Sequence, residues 1–159
     1  MIQSKNLSKF LLMIGFGGLD SAFKQEDLKN SIERLKKQQI INQLKITEQK
    51  VKAHETAHKV AGGDLTGPVR YKYTKGPDGK LYITGGEVPI RIKEGKTPEE
   101  TIQIARKIRK AALAPSDPSA QDRAVASKAS ILEMKARIEL SKYQDESSYK
   151  KGSYLSIFV

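Results

Sequence analysis

From Gln25 to Ala61 the chain runs without a single Pro or Gly, and Gly62-Gly63 then closes the stretch. No other feature restricts the fold as strongly. Leu28, Ile32 and Leu35 begin an apolar stripe at helical spacing, and Ile40, Leu44 and Val51 continue it. A stretch of this length with that periodicity predicts one long helix over 25–61. The Gly pair supplies the left-handed conformation that commonly ends such a helix.

Beyond the helix the periodicity changes. Val69-Arg70-Tyr71-Lys72-Tyr73 alternates as a strand does, and Gly76-Pro77-Asp78-Gly79 has turn chemistry, so Leu81-Tyr82-Ile83 is expected to return as the hairpin partner. Gly85-Gly86 interrupts the chain before Glu87–Ile92, expected as a third strand that Pro89 confines to an edge. Thr97-Pro98-Glu99-Glu100 opens a helix with a cap residue, a Pro in the first turn and a capping-box Glu. Ile102, Ala105, Ile108, Ala112 and Leu113 form its apolar face. After the loop Ala114-Pro115-Ser116-Asp117-Pro118, a last helix is expected from Ser119 to Tyr143. The fold class is therefore α+β: a long helix, a small antiparallel three-stranded sheet and two C-terminal helices. At 159 residues the length suits one domain, placed at 25–143, with an apolar N-terminal segment at 1–24 and a tail at 144–159.

The helix is also where chemistry concentrates. The chain holds no Cys and only two His, so disulfide scaffolds, Cys-based zinc sites, iron–sulfur clusters and thiol catalysis are excluded together. Both His lie in His54-Glu55-Thr56-Ala57-His58. Two His four residues apart project from one helix face, as two corners of a tetrahedral zinc site require. The Glu between them stands where it can take a proton from a water at the open position. At about 100° per residue, His54, Glu55 and His58 fall within roughly 60° of Val51, so all three are expected to face the interior. A third protein ligand must be a carboxylate, because no His remains. Asp64 follows His58 closely in sequence, and Glu87 follows a Gly pair that lets a strand approach the helix; either can serve.

A formal charge of +11 invites a nucleic-acid reading, but the cations are spread along the chain. The one dense group, Arg106, Lys107, Arg109 and Lys110, ends a helix, where cations complement the helix dipole. No nucleic-acid-binding signature is present, so nucleic acid is disfavoured as a partner and a peptide or protein is preferred. The apolar run at 10–16, preceded by Lys5 and Lys9, is far too short to span a bilayer. The cytoplasm is the expected location, with membrane association or export through residues 10–16 as the alternative.

Several linked pieces resemble a known family: Ala53–His58, Ala61-Gly62-Gly63, Tyr71 and Tyr73, Gly76–Gly79, Gly85-Gly86-Glu87-Val88, Ala111–Pro115 and Asp117–Asp122. Over about 46–140 the chain resembles the SprA-related family of bacterial zinc metalloproteases. The Gly-Glu-Val triplet is a hallmark of that family, and the resemblance implies Glu87 rather than Asp64 as third ligand. It further implies one Zn²⁺ per chain on His54, His58 and Glu87, with Glu55 as general base in peptide hydrolysis. A tyrosine of the hairpin, Tyr73 foremost with Tyr71 and Tyr82 beside it, would donate to the developing oxyanion. The rival expectation is a non-catalytic adaptor or co-chaperone on the same scaffold, using the long helix and the apolar ends at 10–16 and 154–159 as docking surface.

Overall fold

In the computed structural model the described residues are 13 and 17–155, with side chains described for 13 and 23–145. The element order is α1 (Gly17–Gly62), a short 3₁₀ turn (Gly63–Leu65), β1 (Arg70–Lys75), β2 (Leu81–Glu87), α2 (Pro98–Ala112) and α3 (Ala120–Leu155). The α+β class holds. Helix α1 begins upstream of Gln25 and ends at the Gly pair, where Gly63 adopts the expected left-handed conformation at φ +55°. Contacts divide the chain into two compact units, one of residues 17–46 with 75–82 and the other of 47–74 with 83–155. Apart from Met13, which is exposed, the apolar run 10–16 lies outside the described residues, as do the side chains of 154–159. No described helix is long and apolar enough to cross a membrane.

The sheet has two strands, not three. Past Glu87 the chain leaves the hairpin and pairs instead with the segment that follows the 3₁₀ turn. The Gly67 N–H donates to the Pro89 carbonyl at 2.8 Å and the Arg91 N–H to the Leu65 carbonyl at 2.8 Å, with a single antiparallel bridge between Thr66 and Ile90. Pro89 has no N–H to give a ladder. One bridge is all the stretch 88–92 sustains. The hairpin turn forms where expected, closed by the Gly76 N–H to the Lys80 carbonyl at 2.8 Å. Within it the Tyr82 hydroxyl donates to Asp78 Oδ2 at 2.8 Å.

Helix α2 starts as its sequence dictates: Thr97 Oγ1 accepts from the Glu100 N–H, and Pro98 occupies the first turn. Its buried face, Ile102, Ala105, Ile108, Ala111 and Ala112, packs on Ala126, Ala129, Leu132 and Ala136 of α3. Small side chains on both helices let the two backbones approach closely, and Leu65, Ile108 and Ala129 make the centre of the core. Helix α3 continues to Leu155, well past Tyr143. Nothing before Gly152 stops it, and one Gly in a helix costs only about 1 kcal/mol. Residues 144–155 therefore continue the helix.

Three of the four cations in the dense basic group of α2, Arg106, Lys107 and Arg109, are paired inside this unit. Arg106 and Arg109 pair with Glu133 of α3 at 2.9 and 2.7 Å, Arg137 joins them at 2.8 Å, and Lys107 pairs with Asp64. Glu133 is buried, and the guanidiniums of Arg137, Arg106 and Arg109 together bring its carboxyl down to about 2. A depressed folded-state value means that the stabilisation is complete above the unfolded-state value near 4.5 and is lost as pH falls from there toward 2. Glu133→Gln is expected to lower unfolding stability at pH 7 by about 2 kcal/mol. Urea titrations at descending pH should show the gap to wild type closing below about pH 4.5; a gap unchanged down to pH 2 would contradict the clamp.

Candidate metal centre

The last turns of α1 carry His54, Glu55 and His58 on the face that the apolar stripe predicts. Glu55 and His58 are only 3% and 2% exposed, while His54 is half-buried at the rim. A buried imidazole needs partners. His58 Nδ1 lies 2.9 Å from the carbonyl of Ala111 in the last turn of α2. A carbonyl can only accept, so Nδ1 carries the proton and Nε2 presents its lone pair. That lone pair faces His54 Nε2 at 3.2 Å and Asp122 Oδ2 at 3.3 Å, and the same Oδ2 is 3.7 Å from His54 Nε2. The donor atoms of His54, His58 and Asp122 all lie within 4.8 Å of one another.

Asp122 reaches this position through a helix cap. Its N–H donates to Ser119 Oγ at 3.1 Å, and its Oδ2 accepts from the Ser119 N–H at 2.8 Å, a reciprocal capping arrangement at the start of α3. Burial works against its charge, yet Ser119 and then His58 and His54 hold its carboxyl below the ordinary carboxylate range. The N-terminus of α3 favours the same negative charge. Glu55 has the opposite balance. Burial raises its carboxyl above the usual range against the opposing pull of His54 and His58, and its Oε2 is buried without a hydrogen-bond partner.

The Gly pair of β2 explains how a strand comes so near. A Cβ at Gly86 would stand 2.8 Å from both Cγ and Oε1 of Glu55, so any side chain there would displace either the strand or the carboxylate. Gly86, Glu87 and Val88 form one wall of a cleft of about 330 Å³, and Ser119–Asp122 form another, with Glu55 and His58 inside it. On the other side of His54 lies a groove of about 510 Å³, floored by Ala53, Ala57 and Pro115 and flanked by Lys50 and Asp117.

The sequence-derived candidates are distributed as follows. His54, Glu55 and His58 come together with Asp122. Glu87 is on the cleft wall, half-exposed, with its carboxylate 3.3 Å from Arg70. Asp64 is exposed in the 3₁₀ turn, and Lys107 holds its carboxyl below the ordinary range. Tyr73 is exposed and does not line the cleft, whereas its neighbour Lys72, on the opposite side of the pleat, does. The Tyr82 hydroxyl is engaged by Asp78.

Sequence reasoning missed Asp122 and Lys72 as site residues. For Asp122 a signal existed, since Ser119 and Asp122 bracket a helix start at capping-box spacing within a stretch already marked by resemblance. For Lys72 none did, because strand alternation cannot say which face meets a neighbour.

The fold and the site together define a small α+β protein with an inward-facing His-Glu-x-x-His helix and a converging carboxylate. The family model of SprA-related proteins matches residues 20–149, and the chain belongs to the SprA-related family. No curated protein and no solved structure matches it.

Proposed function

We propose that this protein is a zinc-dependent metallopeptidase with His54, His58 and Asp122 as the metal-holding residues and Glu55 as general base. The observation that carries the reading is the convergence of two imidazole nitrogens and a carboxylate beside a buried Glu whose outer oxygen has no partner. The donor set suits zinc, which takes nitrogen and oxygen ligands in tetrahedral sites and leaves one position open in catalytic ones. Bound there, zinc supplies Lewis acidity that brings the pKa of a coordinated water toward about 7.

The chain's own residues supply the rest. His58 is oriented by the Ala111 carbonyl, the outer-shell contact that fixes tautomer and ring plane in metal-binding His. Asp122 is held by Ser119 in the same way. Glu55 takes a proton from the attacking water and passes it to the leaving amine, and its burial raises its basicity for that task. Lys72, the single Lys or Arg lining the cleft among the described residues, supports the developing oxyanion in the role first expected of Tyr73. Glu87 in this reading shapes the cleft wall and is not a ligand. The groove beyond His54 gives a peptide room to extend on both sides of the scissile bond, which favours a peptide or protein substrate over a small molecule.

The test is metal analysis of purified, zinc-equilibrated protein. One zinc per chain is expected in wild type and none in His58→Ala. Because His58 is buried, His54→Ala at the more exposed position serves as a second variant, with circular dichroism confirming that both fold. A folded wild type that takes up no zinc ends the metallopeptidase reading.

A further inference from the structure

Between Lys24 and Ile46, α1 carries a second pattern that the metal centre does not use. Leu28, Ile32, Leu35, Gln39, Asn42 and Ile46 recur at alternating four- and three-residue steps, the spacing of heptad d and a positions. At about 100° per residue they fall within roughly 40° of Leu28, a stripe one side chain wide. The four apolar members are exposed, Leu28 at 62% and Leu35 at 65%. Most helical stability in proteins comes from packing an amphipathic face. Here that face is bare, and an exposed apolar row of this kind marks an interaction surface.

The flanks say what fits it. The e and g positions beside the stripe are Lys24, Lys29, Ser31, Lys36, Gln38, Gln43 and Lys45, with no acid among them. The acids of the segment, Glu26, Asp27 and Glu33, lie at outer b and c positions, and Glu33 is spent on an ion pair with Lys37. Lys24, Lys29, Lys36 and Lys45 make no ion pair among the described residues. A second copy of this helix would set lysine against lysine in either orientation, which disfavours self-pairing. A bilayer surface calls for a broad apolar face, whereas this stripe is narrow and has Gln39 and Asn42 at its middle. Polar residues at buried seam positions cost stability but select one register and one partner.

We infer that residues 24–46 form one strand of a heterotypic coiled coil, its partner an amphipathic helix with Glu or Asp at its own e and g positions. The occupant is a different polypeptide from this chain. The metal centre plays no part in the argument, so the two readings stand or fall separately.

The probe is a synthetic three-heptad peptide with Ile at a, Leu at d, Asn opposite Asn42 and Glu at every e and g position. A twin peptide with Lys at those flanks is the control, and fluorescence anisotropy against the full chain is the readout. The acidic peptide should bind at least about tenfold more tightly than its twin, with affinity falling as salt rises. Leu28→Gln with Leu35→Gln should weaken it roughly tenfold or more, and Lys29→Glu with Lys36→Glu, which leaves two lysines against two acids on the flanks, should abolish the preference between peptides. All four positions are exposed, so the fold should survive these changes. Equal binding of both peptides, or none, overturns the inference. So does a wild-type dimer in sedimentation that Leu28→Gln with Leu35→Gln dissolves, which makes a second copy the occupant. Binding to anionic vesicles that the same double variant abolishes, without peptide binding, makes it a bilayer.

Discussion

Glu55→Gln is expected to keep one zinc per chain while peptide hydrolysis falls by about 10²–10⁴-fold. The expectation follows from where Glu55 sits. It is buried beside the two imidazoles of the same helix, its Oε2 has no partner, and its carboxylate is not among the three donors that lie within 4.8 Å of one another. A group held in this way contributes proton transfer, not metal affinity. Gln has nearly the same shape and keeps the close contact against Gly86, so packing should be little changed. It cannot accept a proton at neutral pH. Metal analysis and a peptide-cleavage assay on the same preparation separate the two properties. If the variant lost its zinc, Glu55 would be a ligand; if it cleaved as fast as wild type, another base would be at work.

The second large effect concerns the third ligand. Asp122→Asn should weaken zinc binding by more than about 100-fold, beyond what loss of an outer-shell partner usually costs. Glu87→Gln should leave affinity within a few-fold of wild type. Asn is the informative replacement because its side-chain oxygen can still accept from the Ser119 N–H, so the cap on α3 survives while the charge goes. Competition against a chromogenic chelator measures both. The opposite result, with Glu87→Gln losing zinc and Asp122→Asn retaining it, would move the third ligand to β2 and make the Arg70 pair at Glu87 a contact that metal binding displaces.

Much of this architecture was legible from residue order because its causes are local. An uninterrupted helix of 25–61, its Gly63 stop, the capped start of α2 and the Gly-Pro-Asp-Gly turn each depend on neighbours within a few positions. The helical phase of Val51 was enough to bury Glu55 and His58. The errors lie where the deciding contact is distant. A third strand at 87–92 is expected after the Gly85-Gly86 break, but the Arg91 N–H and the Pro89 C=O go to Leu65 and Gly67. Polar composition from 144 onward suggests an end to α3 at Tyr143, although nothing in 144–151 breaks a helix.

The charge shows the same division. A basic excess can be counted without a structure. That Arg106, Arg109 and Arg137 surround one buried Glu133, and that Lys107 is held by Asp64, depends on how α2 meets α3 and the 3₁₀ turn.

Residue order alone settled that both imidazoles occupy one helix face one turn apart, that Glu55 stands between them, and that any third protein ligand is a carboxylate. Those facts follow from the helix period and from having two His and no Cys. Which carboxylate arrives could come only from packing. Asp122 is distant from His58 in the chain and adjacent to it in space because the small residues of α2 and α3 draw the start of α3 against the end of α1. Helical periodicity acts over a few residues and is written in the chain; convergence of distant side chains is a property of the packed core.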